Sequence, residues 1–172
     1  MKRPILLHPD PRLKRAVPPV PDLSDELRVL AADMLETMYD APGIGLAAPQ
    51  VGVPARLIVL DCEKGEDAAP RPLAMFNPEI LVRSEERSTF EEGCLSIPEH
   101  FAEVTRPSEV TVRWLDETGA ERREDMAGLW AVCVQHEVDH LDGRLFIDYL
   151  TPLRRQLITR KMQKLKRERA RG

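Results

Sequence analysis

The chain has 172 residues, with 25 Lys and Arg against 29 Asp and Glu for a formal net charge of -4, and it is 42% hydrophobic and 31% charged. That length is close to the ~150 residues usual for one domain and is large enough to bury a core without disulfides or a structural metal. The composition excludes disordered and collagen-like chains, and no run of about 18 apolar residues offers a membrane-spanning helix.

Met1 to Pro9 has a charged start but too short an apolar stretch for a signal peptide, so the expected location is the cytoplasm. Three Cys cannot form an even disulfide framework and are expected as core, metal ligand or nucleophile. After Pro18, Pro19 and Pro21, Asp22 or Ser24 can cap a helix whose apolar residues Leu27, Leu30, Ala31, Met34 and Met38 share one face. The helix should stop before Pro42-Gly43. Residues 43–50, Gly-Ile-Gly-Leu-Ala-Ala-Pro-Gln, are small enough to let another backbone approach closely. Strands are predicted at Ala55–Asp61 and at Ala74–Val82, with Pro78 at a bulge or edge. A third, Glu109–Leu115, alternates Val110, Val112 and Trp114 with polar residues and forms a hairpin with Ala120–Met126. A helix over Leu129–Leu141 is closed by Gly143. A last helix runs from Pro152, with Leu153, Leu157 and Leu165 expected to face inward. The pattern predicts an α+β fold, mostly antiparallel sheet around the apolar helix, with one N-terminal and one C-terminal helix. We expect one domain over 1–172.

Charge is unevenly spread. From Arg154 to Gly172 nine basic residues stand against Glu168 alone, giving +8, and the rest of the chain carries 16 basic and 28 acidic residues, or -12. A basic segment on an acidic body fits attraction to a polyanion such as RNA, or a solvated helix face.

The strongest chemical signal is His136-Glu137-Val138-Asp139-His140. Four residues apart on a helix, the two imidazoles project from one face and can share a metal, with Glu137 beside them. A catalytic tetrahedral site needs a third protein ligand. Phe146 stands where the long zinc-protease pattern would place a third His. Cys133 is one turn before His136, but helical Cβ atoms lean toward the N-terminus, so its thiol points away from a metal between the two His. It reads as core, and so does Cys62. Cys94, in Phe90-Glu-Glu-Gly-Cys-Leu-Ser96, is left as the candidate ligand, with a surface-loop Cys as the other reading.

The stretches Gly-Ile-Gly-Leu-Ala-Ala-Pro-Gln at 43–50, Glu-Gly-Cys-Leu-Ser at 92–96 and Gln-His-Glu-Val-Asp-His-Leu-Asp-Gly at 135–143 together resemble the three signature motifs of the peptide deformylases, in order and over essentially the whole chain. The resemblance implies that Cys94, His136 and His140 hold one divalent metal, Fe(II) in the family, with Zn, Ni or Co as possible substitutes. It implies an enzyme that removes the formyl group from N-formylmethionyl nascent chains and releases formate. Glu137 would take a proton from the attacking water and pass it to the leaving amine. The Gln50 side-chain amide and the Leu95 backbone N–H would stabilise the oxyanion.

The same resemblance implies that the backbone of Gly43, Ile44 and Gly45 pairs with the peptide. A methionine pocket would be lined by Ile44, Phe90, Leu129, Val132 and Cys133. Glu92 and Arg106 would pair with each other in support of the metal ligands. Phe101 stands where certain family members carry an Arg near the peptide path. The +8 charge and the resemblance together imply that the basic C-terminal helix, 152–172, docks on the ribosome; a monomer with no membrane partner is expected. The competing readings are a zinc endopeptidase and a non-catalytic, metal-stabilised RNA-associated module. Glu137 and Gln50 speak against the module, because a structural site needs neither a base nor an oxyanion donor.

Overall fold

The computed structural model describes residues 1–172. Helix α1 spans Asp25–Asp40, and its first turn is capped by Ser24, whose hydroxyl accepts the Leu27 N–H at 3.2 Å. Asp25 and Glu26 add favourable charge at the helix N-terminus. Strand β1 (Gly45–Ala47) is followed by a 3-10 turn at Ala48–Val51 and then by β2 (Leu57–Leu60) and β3 (Leu73–Arg83). The hairpin β4 (Arg87–Cys94) and β5 (Ile97–Pro107) comes next, then β6 (Glu109–Leu115), β7 (Glu121–Ala127), helix α2 (Gly128–Leu141) and helix α3 (Pro152–Arg171).

Five strands form an antiparallel sheet in the order β1-β2-β3-β6-β7, and β4 and β5 form a separate two-stranded sheet. The fully buried strand β2 shows how the layers are organised. Ile58 and Leu60 pack into a core with Ala131, Val134, Val138 and Leu141 of α2, while Leu57 and Val59 pack with Leu30, Met34 and Met38 of α1. Alternate side chains of one strand thus bury two helices on opposite faces of the sheet. At roughly 1.5–3 kcal/mol for each large apolar side chain removed from water, these two cores provide most of the driving force.

A third core lies on the other side of α2. There Ala102 and Val104 of β5 meet Leu13, Phe146, Ile147 and, from α3, Ile158 and Met162. The metal-motif helix is therefore enclosed between the two sheets, in the α+β arrangement expected.

The expected strand at 74–82 is present and one residue longer at each end, and its register slips between Phe76 and Glu79, at Pro78. Asn77 there has φ of 50° and uses its side chain to bind both backbone groups of Val20, at 2.7 and 2.9 Å. Two expectations need correction. The β4–β5 hairpin stands where no strand was predicted. Leu153 and Leu157 do not face inward: they are 66% and 47% exposed. The buried stripe is Ile158 and Met162, with Leu165 packed beside them, and at roughly 100° per residue Leu153 and Leu157 lie on a different face.

Candidate active site

Helix α2 is mostly buried, so its polar residues must find partners inside the protein. Gln135 donates to the carbonyls of Ala131 and Pro107 at 2.9 and 3.0 Å, tying the helix to the end of β5. One residue on, His136 and His140 stand one above the other with ring centroids 5.0 Å apart. Cys94 reaches them from the end of β4, where the register with β5 slips between Glu92 and Cys94. Residues two apart on a strand share a face, so Glu92 and Cys94 both approach α2.

Cys94 Sγ lies 3.4 Å from His140 Nε2, and the ligand atoms of Cys94, His136 and His140 all fall within 4.8 Å of one another. A tetrahedral ion with bonds of about 2.3 Å to sulfur and 2.0–2.1 Å to nitrogen separates S and N by about 3.5 Å, so this donor set fits one divalent cation. The electrostatics agree. Burial alone would lower His136, but its contacts with Cys94 and Glu92 outweigh burial and hold its pKa well above the ordinary value, so the site attracts positive charge. Burial, first, and the neighbouring His136 hold His140 well below the ordinary value, in the neutral form that ligates.

His136 is oriented from behind. Its Nδ1 is 3.0 Å from Glu92 Oε1, and Arg106 grips the Glu92 carboxylate through Nε and Nη2 at 2.8 and 3.0 Å. Arg106 Nη1 also donates to Asp139 at 2.8 Å, and the Tyr149 hydroxyl donates to the same Asp139 oxygen at 2.8 Å. Burial works against the charge on Glu92, yet His136 and Arg106 keep its pKa below the usual carboxylate range. Phe146 stacks beside His136 with centroids 6.2 Å apart, so an apolar ring, not a ligand, closes that side.

Glu137 lies beside the ligand set, 3.7 Å from His136 Nε2, with Oε2 buried and unpartnered. Burial pushes its pKa up to about 7, the range suited to a base working near neutral pH. Its place is kept by Gly45: a Cβ there would fall 2.9 Å from Glu137 Cγ. At Gly43 a Cβ would fall 2.7 Å from Leu95 Cδ1. Gln50, on the 3-10 turn after β1, directs Nε2 to Cys94 Sγ at 3.5 Å and to Ser96 Oγ at 3.0 Å.

These groups open into a cleft of about 760 Å³ lined by Gly43, Ile44 and Gly45 on one side, Leu129, Val132 and Cys133 from α2, and Cys94, Leu95 and Phe101 from the β4–β5 hairpin. Sixteen predicted site residues can thus be followed in space, counting Phe101, and all but one either line the cleft or contact a group that does. The exception is Phe90, which pairs with Val104 in the hairpin and is absent from the cleft wall. Phe101 is 61% exposed at the rim, its ring seated over Gly93. Three participants went unread in the sequence: Ser96, Asp139 and Tyr149. The first two sit inside motifs already singled out, whereas nothing around Tyr149 signals its role.

Comparison with known proteins agrees with this geometry. The family described as polypeptide deformylase matches residues 2–156. A peptide deformylase of Rhizorhabdus wittichii is 54% identical over 169 residues, covering 96% of each chain, and one of Afipia carboxidovorans is 55% identical over 163 residues, covering 94% of each. Among solved structures, a peptide deformylase from Legionella pneumophila superposes with a TM-score of 0.90 at 44% identity, over 100% of this chain and 99% of that one. The enzyme from Ehrlichia chaffeensis in complex with actinonin gives 0.91 at 37% identity, over 96% and 98%. A match over nine-tenths of the sequence, with a fold shared from end to end, leaves one conclusion: the chain belongs to the polypeptide deformylase family, metal-dependent hydrolases that remove the formyl group from the N-terminus of new polypeptides.

Proposed function

We propose that the cleft deformylates N-formylmethionyl chains through the residues gathered around Cys94, His136 and His140. The observation that carries this reading is the convergence of a base, an amide donor and a three-ligand metal set on one end of the cleft. Cys94, His136 and His140 would hold a divalent ion, proposed as Fe(II) with Zn, Ni or Co able to replace it, which when bound would supply an activated water at neutral pH and a Lewis acid for the formyl oxygen. A mixed thiolate and imidazole set accommodates each of these metals.

Glu137 accepts a proton from the attacking water on its unpartnered Oε2 and returns it to the amine as the C–N bond breaks. Gln50 Nε2–H and the Leu95 N–H donate to the developing oxyanion, a contribution of about 3 kcal/mol for each donor. The Gly43–Gly45 backbone pairs with the extended peptide, and Ile44, Leu129, Val132 and Cys133 hold the methionine side chain. Glu92 and Arg106 fix the ring of His136. Residues 1–172 act as one catalytic domain with α3 as a basic appendage. The test is formate release from formyl-Met-Ala-Ser by protein purified anaerobically with Fe(II), together with metal analysis. Activity retained in Glu137→Ala, with the metal still bound, would sink the mechanism. An endopeptidase reading has less support, because Phe146 occupies the place of the extra His ligand that reading needs.

The reading extends to the setting of the reaction. No helix is long and apolar enough to cross a membrane. The proposed location is the cytoplasm, with the chain working as a monomer beside the ribosome. The +8 segment forms the solvated face of α3, which suits contact with ribosomal RNA. Co-sedimentation with ribosomes across a salt series tests this, and binding that does not weaken as salt rises would count against it.

A further inference from the structure

The Gln50 amide is held at both ends. Its Oε1 accepts the Ala47 N–H at 2.9 Å, which settles the orientation of the amide, because a reversed group would set two donors against each other. Its Nε2 then has two hydrogens in a fixed plane. One goes to Ser96 Oγ at 3.0 Å and the other is directed toward Cys94 Sγ at 3.5 Å, where the cleft opens. Gln50 is 1% exposed and Ser96 fully buried, so no water competes for these bonds. The backbone holding the two residues is also joined. The Leu6 N–H donates to the Gln50 carbonyl at 2.7 Å, and the His8 N–H donates to the Ser96 carbonyl at 2.9 Å.

We infer that Ser96 is a positioning residue for the reaction: its hydroxyl engages one amide hydrogen of Gln50 and thereby aims the other at the reacting oxygen, with residues 6–8 strapping the two segments at a fixed separation. The inference rests on the reading of Gln50 as an oxyanion donor. It adds that the donor is preorganised by a neighbour that never touches substrate, and preorganisation is what makes such donors effective. A donor free to swing by about 1 Å loses much of its effect.

The test is a double-mutant cycle with Ser96→Ala, Gln50→Ala and the pair, measured on formyl-Met-Ala-Ser at equal metal content. Ser96→Ala is expected to lower kcat about tenfold with KM nearly unchanged, and to have no further effect in the Gln50→Ala background. In a 15N spectrum, the Gln50 side-chain amide protons should be protected from exchange in the wild type and unprotected in Ser96→Ala. If Gln50→Ala lowers kcat and Ser96→Ala lowers it equally in both backgrounds, Ser96 acts by another route and the inference falls while the Gln50 reading stands. If Gln50→Ala leaves kcat unchanged, the Gln50 reading itself falls and takes the inference with it. Protection of the Gln50 amide that survives Ser96→Ala would overturn the positioning role directly.

Discussion

Helices α2 and α3 both carry polar and charged side chains, few in the largely apolar α2 and many in α3, and put them to opposite uses. In α2, 10 of 14 residues are buried, among them Gln135, His136, Glu137 and His140; in α3, 2 of 20 are, both apolar. Enclosure between two sheets forces every polar group of α2 to find a partner or accept a shifted protonation equilibrium, and so converts ordinary side chains into a ligand set and a base. The charges of α3 stay hydrated and act only through their sum. Chemistry resides in the enclosed helix, and long-range attraction belongs to the exposed one.

The sharpest way to break this contrast is at Glu137. Glu137→Gln should reduce formate release by about 10²–10⁴-fold, as expected for loss of a positioned base, with metal content unchanged. Next comes Gly45→Ala, whose new methyl displaces the Glu137 side chain. It should lower kcat by about 10²-fold while the far-UV spectrum and melting curve remain close to wild type.

Removing the support behind His136 should affect both stability and the metal. Arg106→Met leaves Glu92 buried and without its two charged bonds. A loss of 3–5 kcal/mol in denaturant unfolding is expected from a broken buried pair, with about 10–100-fold weaker metal retention in a chelator competition.

A smaller effect is expected where α3 meets the body. His8 is buried, hydrogen-bonded to Thr159 of α3 at 2.8 Å, with its Nδ1 unpartnered. Burial, first, and Lys14 lower its pKa from 6.5 to about 4. The unfolded chain therefore binds the proton more readily, so this contribution is fully present above pH 6.5 and is lost as the pH falls toward 4. It amounts to about 2 kcal/mol after allowance for solvent screening. Wild type should lose that much more stability than His8→Asn between pH 7 and pH 4.5 in urea titrations. Smallest of all, Arg160→Gln, Arg167→Gln and Arg171→Gln together should leave activity on short peptides unchanged and stability within about 0.5 kcal/mol per site. The same triple change should weaken ribosome co-sedimentation; no change there would reduce α3 to a solvated helix.

The parts of the fold that were legible in sequence are those whose burial follows a simple period. The apolar stripe of α1 and the alternation in β6 have one wet and one dry face. Burial alternates in β5 of the hairpin as well, but the inward positions include Glu92 and Arg106, whose charges cancel only across the strand pair. Two buried charges therefore disguise a buried face as a polar loop. In α3 the error at Leu153 and Leu157 has the opposite cause: exposed leucines imitate a core stripe, and only the docking of Ile158 and Met162 against Phe146 and its neighbours selects the true one.

By itself the sequence determined the family, the helix bearing two imidazoles one turn apart, and the Cys-bearing segment that completes the set. These depend on residue identity and spacing along a regular helix, which the chain carries locally. The tertiary structure alone decided the 3.4 Å approach of Cys94 to His140, the upward shift of Glu137, the chain of contacts from His136 to Tyr149 and the locking of Gln50 by Ser96. Each of these joins segments far apart in the chain or requires the exclusion of water, and neither distance through space nor dielectric environment is a property of any local stretch of residues.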